Sequence, residues 1–343
     1  MANPYTLTFG KQPTQFIART AQSQQVIDSF LEMPSSQQVY MITGVRGAGK
    51  TVFMTEIANE ISQRKDWIVV ELNPQTDLLH SLAATLSSEN ELARIFQSAE
   101  INLSLFGFGL EVKSAAPIAD VEVALQKMLA SLDKKGKRLL ICIDEVTNTD
   151  QMRTFAAAFQ IFIRRKLPVY LLMTGLYENI ATLQDEKGLT FLYRAPKIYM
   201  GPLNISTIAA DYKAILNLSE QESISFAKLT KGYSFAFQVF GYFYWEYPND
   251  PQKRLRYIQQ YLEEYSYEKI WSELSHKDRE VLYALVSTGT GRVKDVREFL
   301  NLESNELSPY RQRLIRKGII SGDEYGYMRL LLPYFDQYIL SIY

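Results

Sequence analysis

Residues 39–51 read VYMITGVRGAGKT, a short apolar strand candidate followed at once by a glycine-rich loop. The loop matches G-x-x-x-x-G-K-[ST], with Gly44 and Gly49 as the glycines and Lys50 and Thr51 as the closing pair. Glycines allow positive φ angles and a close approach of successive backbone N–H groups to a polyphosphate. The sequence therefore predicts a phosphate-binding loop.

The residues of this loop have separate roles in the prediction. A helix from about residue 49 to 63 would begin at the loop and favour an anion at its N-terminus. Lys50 would neutralise charge on the β- and γ-phosphates, and the Thr51 hydroxyl would ligate Mg²⁺. The loop does not identify the base. The predicted nucleotide-binding residues are Gly44, Val45, Arg46, Gly47, Ala48, Gly49, Lys50, Thr51 and Val52.

A second apolar run, RLLICIDEV at residues 138–146, ends in two acids. Such a run is typical of a strand that is buried on both faces and has its carboxyl end at a site. Asp144 would hold Mg²⁺ and its hydration shell, and Glu145 would orient and deprotonate an attacking water. The alternative is that both acids merely cap the following helix. Because a phosphate loop precedes them, we favour the catalytic interpretation.

Several later residues are further candidates for chemistry at this site. Thr174 follows another apolar run and would either hydrogen-bond the γ-phosphate or the attacking water, or cap the next helix. Arg194 would stabilise charge on a transferring phosphoryl group, in cis or from a neighbouring subunit; a surface salt bridge is the alternative. Arg164 and Arg165 end a predicted helix and complement its dipole, unless one of them acts as an intersubunit arginine.

The composition is that of an ordinary globular protein, with 47% hydrophobic and 22% charged residues. A length of 343 residues allows two or three domains. A formal net charge of −1 gives no global attraction to nucleic acid or to an anionic membrane, so such a partner must meet a local patch. No run approaches the roughly 18 to 20 apolar residues needed to span a bilayer, and the N-terminus does not have the pattern of a secretory signal. We expect a cytoplasmic protein with no membrane contact.

The residue types that most often bind metals or react as nucleophiles are scarce. Cys142 is the single cysteine and lies within an apolar run, which predicts a buried core thiol in a reducing compartment. His80 and His276 are far apart and have no partner at metal-ligand spacing. We expect all three to be structural or surface residues.

The chain changes character after about Pro202, where strand patterns cease and helical patterns follow. We assign residues 1–202 to a nucleotide-binding core, with a β-hairpin insertion near residues 101–112, and residues 203–268 to a helical lid. Residues 269–343 combine three helical patterns with two short apolar segments joined by a polar turn. That combination is typical of a winged helix-turn-helix.

The third helix of this module is predicted over residues 308–317, with Ser308 and Pro309 at its start. Trp271–Tyr343 contains ten Lys or Arg and ten Asp or Glu, so the module is neutral overall and promises at most modest DNA binding. The alternative is a winged helix used for packing or for protein partners. The cations of the third helix, which would form a DNA-reading surface, are Arg311, Arg313, Arg316 and Lys317.

The order of these parts resembles the AAA+ ATPases of the origin-recognition and STAND branch, in particular those called archaeal-type ATPases. GVRGAGKT at residues 44–51 is similar to Walker A, LLICIDEV at residues 139–146 is similar to Walker B, and Thr174 falls at the sensor-1 position. KGYSFAFQ at residues 231–238 is similar to the G-Y/H-P segment of the family's small domain. It has Ser234 in place of proline and no sensor-2 arginine, which favours the archaeal-type or STAND side over a replication initiator.

This resemblance implies an α/β P-loop NTPase core whose five parallel strands have the order 5-1-4-3-2, with a helical lid and a C-terminal winged helix. It implies ATP or ADP and Mg²⁺ as ligands, and an ATP-dependent switch that hydrolyses slowly and acts on DNA or a protein partner. Two alternatives remain open: a non-catalytic DNA-binding regulator with a structural nucleotide, and a STAND-type assembly scaffold that forms homo-oligomers. The residues to which the resemblance and the motifs assign catalysis are Lys50, Asp144, Glu145, Thr174 and Arg194.

Overall fold

The structure is a computed structural model that describes residues 2–8, 13–108 and 112–343. The chain divides into two compact units. The first, which we call the sheet unit, consists of Arg19–Thr43 and Lys50–Tyr199. The second, which we call the helical unit, consists of Met1–Ala18, Gly44–Gly49 and Met200–Tyr343. The glycine-rich part of the phosphate loop therefore groups with the helical unit, although it joins a strand to a helix of the sheet unit.

The sheet unit is built on five strands, β1 (Val39–Thr43), β2 (Trp67–Leu72), β3 (Arg138–Ile143), β4 (Val169–Gly175) and β5 (Lys197–Tyr199). Their spatial order is β2-β3-β4-β1-β5, and every neighbouring pair is parallel. This is the predicted order 5-1-4-3-2 viewed from the other edge, so the predicted sheet is confirmed. β1 and β4 are buried at every position, as their continuous apolar runs require in a sheet that is covered on both faces.

Eight helices surround this sheet among the described residues. Aliphatic and aromatic side chains of the strands and helices, among them Met41, Ile141, Leu171 and Phe159, form one fully buried apolar core. The helices are α1 (Thr20–Leu31), α2 (Lys50–Ser62), α3 (Leu78–Ser88), α4 (Asn90–Ser98), α5 (Val121–Asp133), α6 (Asp150–Arg164), α7 (Tyr177–Gln184) and α8 (Thr190–Arg194).

The prediction of a β-hairpin at residues 101–112 is wrong for the part that the structure describes; residues 109–111 lie outside it. The described part has no strand and contains a single 3₁₀ turn, Ser104–Phe106. Asn102 donates its amide group to the carbonyl oxygen of Val112 at 2.9 Å. Ile101 and Leu103 are buried on either side of Asn102 without a partner strand, whereas Leu105 is 63% exposed.

The helical unit contains nine helices and one pair of strands among the described residues. A π-helical turn, Glu263–Tyr267, connects α12 to α13. The helices are α9 (Ile205–Leu216), α10 (Glu220–Leu229), α11 (Ser234–Glu246), α12 (Pro251–Leu262), α13 (Glu268–Ser272), α14 (His276–Thr288), α15 (Val293–Leu300), α16 (Ser304–Arg316) and α17 (Phe335–Ile342). The strands β6 (Ile320–Ser321) and β7 (Arg329–Leu330) pair antiparallel.

Residues before and after the predicted lid boundary at residue 268 share one apolar core, so the boundary stays a prediction. Helices α14, α15 and α16, followed by the β6–β7 pair, give the element order that was predicted for a winged helix. The third helix begins at Ser304, one turn earlier than predicted, because Glu303 and Glu306 form a capping box around its first amides. Pro309 consequently lies inside the helix.

The N-terminal arm is anchored in the helical unit by Tyr5, whose ring is 1% exposed. Its hydroxyl donates to the carboxylate of Asp211 at 2.7 Å. Gly241 on α11 makes room for the ring, since a Cβ atom there would lie 2.6 Å from it. In the described part of the chain, none of the helices combines the length and the apolar character that a membrane crossing requires.

Candidate functional site

The phosphate loop leaves the carboxyl end of β1 and enters α2, so Lys50 and Thr51 form the first turn of that helix. N–H groups in a first helical turn have no partner within the helix and favour an anion. Gly47 and Gly49 have φ angles of +74° and +87°, the left-handed region that side chains rarely adopt. The backbone therefore explains why both of these positions are glycine.

Thr51 and Asp144 are in direct contact. The Thr51 hydroxyl donates to one carboxylate oxygen of Asp144 at 2.8 Å. This bond joins the first turn of α2 to the carboxyl end of β3. The two predicted metal ligands, which are 93 positions apart in sequence, therefore lie side by side.

Thr174 connects the same carboxylate to the neighbouring acid. Its hydroxyl donates to the other carboxylate oxygen of Asp144 and accepts the backbone N–H of Glu145 at 3.1 Å. The alternative role for Thr174 as a helix cap is wrong, because α7 begins at Tyr177 with no side-chain cap. Thr174 is fully buried at the tip of β4, and its hydroxyl holds the carboxylate of Asp144 and the backbone of Glu145.

Glu145 has a φ angle of +53°, which is unusual for a residue with a side chain. Such a conformation costs roughly 1–2 kcal/mol and often occurs at functional sites. Neither acid caps the next helix, because the Thr149 side chain caps α6 by accepting the N–H of Met152.

The structure does not bring Arg194 to this group. Arg194 ends α8, immediately before β5, and lines a pocket of about 380 Å³ with Gln38 at the amino end of β1. Asp144 lies beyond the carboxyl end of β3, and therefore at the opposite end of the parallel strands from Gln38. No contact joins Arg194 to Asp144 among the described residues, and a role for Arg194, in cis or toward a neighbouring copy, stays a prediction. Arg164 and Arg165 lie at the C-terminal end of α6, where they complement the helix dipole.

Within the helical unit, residues of the KGYSF segment contact the phosphate loop. Tyr233, Ser234 and Phe235 each hydrogen-bond a carbonyl oxygen of the loop. The sequence marked this segment through its family resemblance, but gave none of these residues a role. Nothing in the local sequence pattern indicates that side chains of this segment bond to carbonyl oxygens of a loop nearly 190 positions earlier in the chain.

The predicted DNA-reading surface on α16 is not an open basic face. Arg313 pairs with Asp278, with 2.7 Å between the guanidinium nitrogen and the carboxylate oxygen, and the Asp278 side chain is 1% exposed. Arg311 donates to the carbonyl oxygen of Tyr327 at 3.1 Å. These two arginines therefore make contacts within the module, and they do not form a shared surface for the DNA groove.

The last two cations of that set differ in exposure. Lys317 donates to the carbonyl oxygen of Glu273 at 3.4 Å, and Arg316 is exposed. The prediction that four cations form one solvent-facing basic surface is therefore wrong. Arg311, Arg313 and Lys317 each have a partner within the module, through a hydrogen bond or an ion pair.

The remaining sequence candidates have the expected structural roles. Cys142 is 1% exposed. Burial, with Glu71 and Asp144 nearby, raises the pKa of its thiol to about 12. The His80 ring contacts the carboxylate of Asp77 at 2.8 Å, at the N-terminus of α3. No group of three or more His, Cys, Asp or Glu residues able to hold a metal occurs among the described residues.

Two family models match the chain. The model described as an AAA ATPase domain matches residues 15–169. The model described as a domain of unknown function (DUF8462) matches residues 264–339, which include α13 to α16. None of the curated proteins matches the chain.

Solved structures match almost the whole chain at low sequence identity. The Walker-type ATPase of Pyrococcus abyssi is 17% identical, has a TM-score of 0.62, and aligns over 96% of this chain and 97% of its own. The ORC2 protein of Aeropyrum pernix, solved as ADPNP–ADP complexes, is 12% identical, has a TM-score of 0.57, and aligns over 97% of each chain. At these identities the likeness concerns the fold. Residues 15–169 thus match the AAA ATPase domain model, and the fold of the chain is similar to the folds of these two proteins.

Proposed function

We propose that the chain is a Mg-ATP-dependent molecular switch that hydrolyses ATP slowly to ADP and phosphate. The observation that carries this proposal is the network around Asp144. The Thr51 hydroxyl, the Thr174 hydroxyl and the backbone N–H of Glu145 all donate to its carboxylate. The network joins the end of the phosphate loop to both acids of the Walker B-like strand. The ADPNP–ADP complexes of the ORC2 neighbour support an adenine nucleotide.

Thr51 and Asp144 fit a magnesium ion. They present two oxygen donors 2.8 Å apart beside the helix N-terminus that follows the loop. Mg²⁺ prefers oxygen ligands and is usually held by one or two protein groups together with phosphate oxygens and water. When bound, the ion would neutralise charge on the phosphates. That binding mode needs no larger acidic cluster.

The chain's own residues divide the remaining chemistry. Lys50, at the start of α2, would place a positive charge beside the β- and γ-phosphates. Glu145 would accept a proton from the attacking water. Thr174, through its bonds to Asp144 and to the Glu145 N–H, would hold both acids in place during the reaction. Lys50 and Glu145 are therefore proposed to act on the phosphates and on the attacking water. Thr174 is proposed to position Asp144 and Glu145.

Slow turnover is proposed because one charge-stabilising group is absent from the described lid. Residues 234–238, at the start of α11, contain no arginine at the position where the replication branch carries sensor 2. Arg194 lies beside Gln38 at the amino end of β1, whereas Asp144 follows the carboxyl end of β3. An arginine from a neighbouring copy would raise the rate, since such a group adds several orders of magnitude in related phosphoryl-transfer enzymes.

We further propose that residues 269–343 form a winged-helix module that transmits the nucleotide state to a protein partner. A protein is favoured over duplex DNA because Arg311 and Arg313 are engaged inside the module. A DNA-binding regulator would need several phosphate contacts, and these make affinity steeply salt-dependent. Exposed, uncharged side chains such as Ser308, Pro309 and Gln312 dominate the outer face of α16.

The test is to measure ATP binding and phosphate release by the full chain, with and without duplex DNA, at about 50 and 200 mM salt. We expect ATP to bind, phosphate to be released slowly, and DNA to change neither. Binding without any phosphate release would favour the non-catalytic regulator. A nucleotide-dependent rise in mass by light scattering would favour the assembly scaffold.

A further inference from the structure

The KGYSF segment, residues 231–235, holds three successive carbonyl groups of the phosphate loop. The Tyr233 hydroxyl donates to the carbonyl oxygen of Arg46 at 2.7 Å. The Phe235 backbone N–H donates to that of Gly47 at 3.0 Å. The Ser234 hydroxyl donates to that of Ala48 at 3.0 Å. Three consecutive residues of one element therefore fix three consecutive peptide groups of another.

These bonds determine where the loop's N–H groups point. In a planar trans peptide, the C=O of one residue and the N–H of the next point in opposite directions. Carbonyls of Arg46 and Ala48 that face the KGYSF segment therefore turn the N–H groups of Gly47 and Gly49 away from it. Successive inward N–H groups are what a phosphate-binding loop needs. The segment thus orients the N–H groups of Gly47 and Gly49, whereas the N–H of Ala48, between them, donates to the carbonyl oxygen of Val45 at 3.1 Å.

Tyr233 is the most constrained of these contacts. It is 4% exposed, and burial raises the pKa of its hydroxyl, which stays protonated at neutral pH. Its single proton goes to the Arg46 carbonyl, because a carbonyl only accepts. Its oxygen lies 2.7 Å from the Ser266 hydroxyl, which must therefore be the donor. The result is a directed chain from Ser266 through Tyr233 to Arg46.

Ser266 lies in the π-helical turn Glu263–Tyr267, and it is 1% exposed. Single π turns inside helical segments are rare overall, and those that occur are often found at functional sites. Ser266 lies at the start of the part of the chain that matches DUF8462, residues 264–339, and α13 follows it directly. The hydroxyl chain therefore joins the phosphate loop to the entrance of the C-terminal module.

A second link runs through the side chain of the same loop residue. The Arg46 guanidinium lies 3.0 Å from the carboxylate of Glu273, at the end of α13. The Glu273 carbonyl oxygen in turn accepts a bond from Lys317 at 3.4 Å. At the other end of the KGYSF segment, Lys231 donates to the carbonyl oxygen of Leu330 on β7 at 3.2 Å. The segment and Arg46 thus both reach the C-terminal module.

We propose that Tyr233 is a positioning residue of the phosphate loop, and that the Ser266–Tyr233–Arg46 chain couples the loop to the π turn and the C-terminal module. This inference rests on the proposed function, because it takes ATP as the ligand of the loop. ATP binding stabilises one orientation of the loop peptides, and the buried hydroxyls pass that preference on. The coupling requires a buried donor at residue 233 and a hydroxyl at residue 266.

The first experiment compares Tyr233→Phe with Tyr212→Phe. Tyr212 is a matched control because it is also fully buried in the helical unit, where its hydroxyl donates to the Phe237 carbonyl oxygen at 2.8 Å. Loss of a buried hydroxyl at either position should destabilise the fold similarly. We expect Tyr233→Phe to weaken ATP binding ~10-fold, the effect of one buried hydrogen bond, and Tyr212→Phe to leave it within about twofold. Equal affinities for the two variants would overturn the role of Tyr233.

The second experiment tests the coupling by hydrogen exchange. In the native chain, ATP should change the exchange of amides in residues 263–273, and Tyr233→Phe and Ser266→Ala should abolish that change. Ser266→Ala keeps the donor to Arg46, so its ATP affinity should stay closer to the native value. No ATP-dependent change in the native chain, or the same change in all three, would overturn the coupling. Native protein that fails to bind ATP would instead contradict the proposed function.

Discussion

Arg313 on α16 and Asp278 on α14 form an ion pair in which the carboxylate is almost entirely buried. Two guanidinium nitrogens of Arg313 reach the Asp278 carboxylate at 2.7 to 3.0 Å. The same carboxylate also completes the capping box of α14 with Ser275. Arg313 thus supplies the positive charge that compensates the buried Asp278 carboxylate, which makes this arginine a structural residue.

Arg313→Ala is expected to lower the free energy of unfolding by about 2–3 kcal/mol. The substitution leaves a buried carboxylate without its cation, and the cost is below that of a fully buried pair because the Arg313 side chain is 34% exposed. Urea denaturation measures the change. Arg256→Ala, at an exposed arginine of α12, is the control and should shift stability by less than about 0.5 kcal/mol. Similar losses for both variants would show that the ion pair does not stabilise the fold.

Glu145→Gln should bind ATP with an affinity close to that of the native chain and release phosphate at least ~100-fold more slowly. The amide keeps the size of the side chain but cannot accept a proton from water. Single-turnover phosphate release and equilibrium ATP binding separate the two effects. Native turnover in the variant would remove Glu145 from the mechanism.

Thr174→Val should slow phosphate release by ~10-fold while changing ATP affinity much less. The variant loses the hydroxyl that donates to Asp144 and accepts the Glu145 N–H. Thr43→Val is a matched control at the tip of β1, because the buried Thr43 hydroxyl has no hydrogen-bond partner among the described residues. The control should keep its stability and turnover. If it slows as much as Thr174→Val, methyl substitution at a strand tip is the cause.

Cys142 should not react with an aromatic disulfide reagent at pH 8 in the folded protein. Its pKa is raised to about 12, so the thiol stays protonated well above neutral pH, and the thiolate is the reactive form. One equivalent should react after denaturation in urea. Rapid labelling of the native chain at pH 8 would contradict the burial of this thiol.

The sheet and the residues at its carboxyl edge follow closely from the sequence. Continuous apolar runs predict strands that are buried on both faces, and a parallel sheet brings the ends of such strands together. Asp144 and Thr174 both end such runs, so the sequence predicts their proximity to the loop. What it does not contain is the direction of each hydroxyl, which depends on burial and on neighbours that are distant in sequence.

Other features depend on contacts that no local pattern encodes. Asn102 anchors the segment that was predicted as a hairpin, through bonds to carbonyls ten or more positions away. The charge of Arg311 and Arg313 is visible in the sequence, but their engagement inside the module is not. Tyr233 is likewise an ordinary tyrosine until the fold places it against Arg46.

The position of β1 in the sheet has a consequence for how the protein is made. β1 pairs with β4 on one side and β5 on the other, so the strand before the phosphate loop has no neighbour until residues 169–199 exist. A growing chain on the ribosome would therefore display both edges of β1 until about 130 further residues, through β4, have emerged, and one edge until β5 follows. A fragment cut at residue 169, where the AAA match ends, would leave both edges open permanently. Any truncation intended to bind nucleotide has to extend at least through Tyr199.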